Sequence, residues 1–315
     1  MAIEPEVELA ETTTGQASIL RAKGLWRDAF RETFRKKSAI VGAVILGFLV
    51  FLAVFAPVIA PYGPQEVLLD TEDVRPRDPP CIHLFGCPED QPQHILGIDR
   101  NGQDEFSRLV YGARVSLVSG FAAVTFAVIV GTVFGLLAGF FGRWVDTLIM
   151  RVMDVFLAFP ALLLAIAIVT VLGNGLFNAI IAISIVTIPI YARLVRSSVL
   201  TIREQDFVTA DRALGVSSRR LIGHRILPNA LTPLVVQATL SIATAVLELA
   251  ALSFVGLGGS EAIPEWGRMI SAERTAIFTA PWLVMAPGLM IMLNVLAFNL
   301  IGDGLRDALD PRLNR

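Results

Sequence analysis

Five windows of this chain, each 24 residues or longer, hold almost no charged side chain: Ala39 to Tyr62, Val115 to Gly142, Val155 to Ala192, Ile226 to Leu257 and Thr275 to Gly302. A hydrocarbon core of ~30 Å is crossed by about 20 apolar residues in a helix. The Val155–Ala192 window is too long for one helix, and Gly173-Asn174-Gly175 is a turn signal inside it. Six spans follow, near 39–60, 115–138, 150–172, 176–195, 233–256 and 283–302. Each must be a helix, because backbone groups find no water in lipid. The expectation is an all-α polytopic membrane protein with six transmembrane helices. Composition agrees: 54% of the 315 residues are hydrophobic and 17% are charged, against roughly 25% charged in soluble domains. This excludes a soluble globular protein, a disordered chain and a nucleic-acid binder.

Charge placement gives a direction. With the N-terminus inside, the segments 1–38, 139–151, 193–228 and 303–315 carry 19 of the 26 Lys and Arg residues. The positive-inside rule then puts both termini in the cytoplasm. The first 38 residues are polar and the apolar run that follows is long, so the first span reads as a retained anchor. The opposite loop, 61–113, holds ten Asp and Glu residues. Most acids in 62–108 and 259–282 are expected to form a solvated surface. Cys81 and Cys87 lie in the 61–113 loop, where an oxidising compartment predicts a disulfide. The residues also leave open a metal site of Cys81, His83 and Cys87 with His94 nearby.

Chemistry within the spans is sparse. There is no H-E-x-x-H and no G-x-S-x-G, and no histidine falls in a span. The three lysines, Lys23, Lys36 and Lys37, do not follow glycines, so the G-x-x-x-x-G-K phosphate loop is missing. Glu248 is the one charge well inside a window. A carboxylate facing lipid costs a few kcal/mol, which points to an interior, interface or cavity-lining position. The alternative is hydrogen bonding to a partner helix. Asp154 and Arg151, three apart, are expected to pair. Gly131, Gly135 and Gly139 form a small-residue face suited to close helix packing.

The segment 204–228 is the most informative. Thr209 to Leu214 reads as a short helix stopped by Gly215. Ser217 is placed to cap the next helix, which must end or bend at Pro228. Ala210, Ala213 and Leu214 form a small apolar face, rimmed by Arg212, Arg219 and Arg220. Such a knob suits a groove on a soluble partner. An ordinary connecting loop carrying positive-inside charge is the other reading.

This segment resembles the EAA loop of ABC importer permeases, E-A-A-x-x-x-G followed by I-x-L-P. Ala210, Gly215 and Leu227-Pro228 match. Thr209 stands at the usual Glu, Asp211 at the second Ala, and Arg225 at the Ile. The resemblance runs from about residue 30 to the end. It includes His94-Ile-Leu-Gly97 through Ser116, Asp146 to Pro160, Leu252-Ser-Phe-Val-Gly-Leu-Gly258, Pro264-Glu-Trp-Gly267 and Asn299 to Arg312. These stretches are similar to the C-type subunit (DppC/OppC-like) of the dipeptide, oligopeptide and nickel permease family. The insert at about 76–91 is not part of the shared core.

The resemblance implies a type I ABC importer permease fold, organised as a tail (1–38), a first span (39–60), an outer loop with the Cys pair (61–113), a five-span core (114–302) and a tail (303–315). It implies a heterodimer with a B-type permease, two ABC ATPase subunits and an extracytoplasmic peptide-binding protein, for which residues near 62–108 and 259–282 offer a contact surface. ATP and Mg would sit on the ATPases, with no cofactor or metal on this chain. A coupling elbow would comprise Phe207, Thr209, Ala210, Asp211, Arg212, Ala213, Leu214, Gly215, Val216, Ser217 and Arg219, with Leu227 and Pro228. The same architecture serves nickel, glutathione and other small solutes. A self-sufficient carrier or channel is the rival class, and it would require transport by this chain alone.

Overall fold

The computed structural model describes residues 31–309. Most of the expected tail 1–38, and residues 310–315 of the expected tail 303–315, lie outside them. The apolar windows become long helices. These are α1 (Lys37–Ile59), α2 (Glu105–Phe141), α5 (Leu176–Arg203), α8 (Leu227–Phe254) and α10 (Trp282–Leu309). Shorter helices join them: α3 (Arg143–Leu157), α4 (Ala161–Leu172), α6 (Asp206–Ala213), α7 (Ser218–Leu221) and α9 (Trp266–Glu273). Among the described residues, five helical stretches are each long and apolar enough to cross a membrane, and the α3–α4 pair makes a sixth if counted as one span.

That pair corrects the expected straight helix at 150–172: α3 and α4 meet at 94°. The break falls at Ala158-Phe159-Pro160, where Pro160 cannot donate to a continuing ladder and forces its predecessor out of helix geometry. Two ion pairs hold α3 against α5. Arg196 grips Asp146 through Nε and Nη2, the latter at 2.6 Å, and Arg193 Nη2 lies 2.6 Å from Asp154 Oδ1. Asp154 therefore pairs with Arg193 on α5, not with Arg151 on its own helix. The Arg193 side chain reaches it across the α3–α5 contact. The pair returns the chain from one end of the bundle to the other. It starts beside Arg203, whose Nη1 donates to Gly139 O. It ends beside α8, where Gly175 N donates to Leu257 O.

The core lies between α2 and α5, which run in the same direction. Gly131 faces Tyr191, Gly135 faces Ala192 and Val195, and Gly139 faces Val199. A Cβ on Gly135 would fall 2.6 Å from both Ala192 O and Val195 Cβ. The small-residue face is thus a contact where two backbones touch, as membrane helices do when packing replaces the hydrophobic effect. α8 packs across both helices, and α1 and α10 pack together beside them.

The end of the bundle opposite α6 is closed by polar side chains. α2 begins at Glu105, ten residues before the apolar window, because Asp104 caps it by accepting from Ser107 N at 2.8 Å. Buried Arg108 joins three segments. It donates to Pro64 O at 3.1 Å, to Glu261 O at 2.8 Å, and lies 3.4 Å from Asp99 Oδ2. Glu265 caps α9, accepting from Gly267 N and Arg268 N, and Trp266 beside it is fully buried, donating to Leu109 O. The Pro264–Gly267 motif is therefore packing. The expectation of solvated acids is corrected for Asp99, Asp104, Glu105, Glu265 and Glu273, all buried. Pairing with arginines and backbone N–H groups on neighbouring segments draws most of them inward, as Arg77 does with Glu273 at 2.8 Å.

Cys81 and Cys87 form a disulfide, with Cα atoms 5.4 Å apart. His94 lies elsewhere in its chemistry, buried between two carboxylates. Its Nδ1 is 2.8 Å from Asp104 Oδ1 and its Nε2 is 3.0 Å from Glu72 Oε2. Burial pushes the imidazole pKa down, but the bonds and charges of Asp104 and Glu72 outweigh burial and hold it above the ordinary value. The stability this contributes is fully present below the unfolded value of about 6.5 and is lost as pH rises through the folded one. Thermal stability of the wild type should therefore fall over that window, and His94→Gln should flatten the fall. Superimposable pH profiles of the two melting temperatures would remove His94 as the cause.

Candidate functional site

The elbow is built from α6, a tight turn and the start of α7. α6 starts at Asp206, three residues before the expected position, and ends at Ala213. Its close is a Schellman motif: Val216 N donates to Asp211 O and Gly215 N to Arg212 O, both at 3.0 Å, with Gly215 at φ +79°. Ser217 occupies the N-cap position of α7 without a side-chain cap bond. Pro228 does not end the helix that follows. The helical path runs from Ser218 to Phe254, with a π-helical stretch, Ile222–Ile226, just before the Leu227-Pro228 step. Widening the ladder there accommodates the proline's missing donor.

Anchoring and display are divided between faces. Val208 is fully buried and packs in the core with Ile202, Leu221 and Ile226. Arg212 places its guanidinium 5.9 Å from the Phe140 ring centre at the end of α2. Exposed are Phe207, Thr209, Ala210, Arg212, Ala213, Leu214, Gly215, Ser217, Arg219 and Pro228, while Asp211, Val216 and Leu227 are half-buried. Leu214 is 82% exposed at the tip. A leucine so exposed, on an elbow that also carries exposed Arg212, Arg219 and Arg220, suits a site that another surface covers.

Two departures from the EAA pattern meet here. Arg225 Nε lies 2.8 Å from Asp211 Oδ2, so the residues at the second-Ala and Ile positions form an ion pair across the turn. Neither residue alone signals this, because the pair joins positions 14 apart on two different helices. The sequence reading also passed over Val208, whose only signal is being the one large aliphatic residue within the polar run from Arg203 to Arg212.

Glu248 is half-buried on α8, beside exposed Leu247 and one turn from exposed Thr244. Among the described residues no hydrogen-bond or ion-pair partner of Glu248 is present. Asp146 and Asp154, by contrast, each have an arginine. No group of three or more His, Cys, Asp or Glu side chains among the described residues is arranged to hold a metal ion.

Bundle and elbow together define a membrane permease, and the chain belongs to the family of binding-protein-dependent transport system inner membrane components, whose profile matches residues 131–315. Within it the chain is a C-type permease of the DppC/OppC kind: residues 24–80 match the N-terminal transmembrane domain of oligopeptide transport permease C. It is 50% identical to the dipeptide transport system permease protein DppC of Alkalihalophilus pseudofirmus, over 91% of this chain and 90% of that one. It is 48% identical to the di/tripeptide transport system permease protein DppC of Pseudomonas aeruginosa, over 90% and 91%. Identity to the glutathione transport system permease protein GsiD of Escherichia coli is 42%, over 91% of both. Among solved structures, the inward-facing MetNI methionine ABC transporter shares the fold, with a TM-score of 0.52 at 24% identity over 64% of this chain and 96% of that one. The chain is thus a multi-pass inner-membrane permease of the type I ABC importer fold.

Proposed function

We propose that this chain is one permease half of an ATP-driven importer of di- and oligopeptides. The observation that carries the coupling role is the elbow: an exposed apolar tip and arginine rim, set on a glycine-dependent turn and rooted in the core by Val208. Its partners are a homologous B-type permease, two ATPase subunits docked at the two elbows, and an extracytoplasmic peptide-binding protein at the opposite end. ATP and Mg²⁺ are held by the ATPases, and this chain performs no hydrolysis. Both termini and the elbow are cytoplasmic, as the Lys and Arg distribution favours. Closure of the ATPases draws the elbows together. The glycine-packed α2–α5 pair moves as a unit and exchanges inward-open for outward-open states. Peptide is the favoured cargo because the relatives at 50% and 48% identity are named for dipeptides and di/tripeptides.

Reconstitution tests the reading. The chain, co-expressed with its B-type permease and ATPases, should co-purify with both. In proteoliposomes the complex should take up labelled dipeptide only with ATP and binding protein together. Uptake by this chain alone, driven by an ion gradient, would make it a secondary carrier. Uptake of glutathione or nickel in place of dipeptide would keep the architecture and replace the cargo.

A further inference from the structure

The bundle end opposite the elbow carries a cleft of about 720 Å³, lined among others by Asp73, Arg75, Pro80, Cys81, Cys87 and His94. One wall is the disulfide loop, where a 3-10 turn, His83–Phe85, is closed by Gly86 at φ +96°. Leu84 at its crest is 87% exposed. We propose that this cleft and the Leu84 crest are the surface on which the extracytoplasmic binding protein docks on this chain.

Three observations support that occupant over lipid or a second copy. The surface is pre-organised. The disulfide and the prolines at 79, 80, 88 and 92 hold the loop, so ordering it on binding costs little entropy. Its charge is net acidic: Asp73 and Asp78 line the cleft with Arg75, and Glu89 and Asp90 are exposed beside Cys87. Acidic side chains disfavour burial in a bilayer and suit a soluble partner that offers an apolar pocket beside Lys or Arg. The surface is also mechanically continuous with the transport core. Cys81 and His94 exchange backbone hydrogen bonds of 2.8 and 2.9 Å, the His94 ring bonds Asp104, and Asp104 caps α2, which packs by its glycines on α5. A partner seated on the loop therefore bears on the helix pair that leads to the elbow. The family is defined by dependence on a binding protein, and the assignment rests on the transport reading above.

The test is a titration of the complete permease–ATPase complex in nanodiscs with its purified binding protein, reading stimulated ATP hydrolysis. Leu84→Asp lies at an exposed position and should raise the half-saturating binding-protein concentration by ~10-fold or more, the scale of a lost apolar anchor, with the same maximum at saturation. The double variant Cys81→Ser with Cys87→Ser should shift it in the same direction, and so should reductant on the wild type. A wild type that shows no stimulation overturns the transport reading itself. A stimulated wild type matched by Leu84→Asp in half-saturation overturns the docking assignment alone, whatever the variant does to contacts with lipid or with a second copy.

Discussion

Gly135→Val should cost at least about 3 kcal/mol, the upper range for overpacking a close-fitting contact, and should abolish most transport. The reason is backbone proximity. The first atom added at residue 135 already lies 2.6 Å from Ala192 O and 3.0 Å from Arg196 N. A backbone cannot swing aside as a side chain does, so α2 and α5 must separate along their length. That separation would withdraw Gly131 and Gly139 from their own contacts and strain the grip of Arg196 on Asp146. The measurement is thermal unfolding of the detergent-solubilised complex alongside uptake. Gly47→Ala provides the control, because a Cβ at Gly47 in α1 meets nothing within 4 Å. It should be neutral or slightly stabilising, by up to about 1 kcal/mol from helix propensity. Equal melting temperatures for Gly135→Val and wild type would show that the α2–α5 contact is not the close fit described here.

Gly215→Val should sever coupling while sparing the membrane domain. The space around Gly215 is open, so sterics with neighbours play no part. The obstacle is φ +79°, which a β-branched residue resists at a cost of about 1–2 kcal/mol. Released from that conformation, the turn loses the Val216–Asp211 and Gly215–Arg212 bonds, and Leu214 and the arginine rim point elsewhere. A tenfold loss in an equilibrium corresponds to 1.4 kcal/mol, so ATPase co-purification and uptake should each fall by ~5- to 30-fold. Insertion and the stability of the five long helices should stay near wild type. Gly215→Asn distinguishes conformation from identity, since asparagine tolerates the left-handed region and should retain most activity. Wild-type ATPase retention in Gly215→Val would remove the elbow from the coupling path.

Much of the architecture was legible in order along the chain. Charge-free windows located the long helices because lipid leaves the backbone no other way to satisfy its hydrogen bonds. Gly215 announced its turn, because a helix that stops before a glycine needs a left-handed residue there. What was illegible involved pairs distant in sequence. Asp154 looked suited to Arg151 three residues away, yet it meets Arg193. Asp211 and Arg225 looked like two independent losses of a motif, yet they meet each other. The acids of the outer segments looked solvated, yet Arg77, Arg100 and Arg108 draw several of them inward.

The sequence by itself determined which stretches enter the membrane, which end carries the arginines, and where the chain turns on glycine. Each of these depends on local composition or local backbone geometry. Only the tertiary structure decided that the third span is broken at Pro160, that the glycine face of α2 meets α5, and that the disulfide loop is fastened through His94 to the cap of α2. Those outcomes depend on which segments meet in space, and the energy of a contact between distant residues is written in neither residue alone.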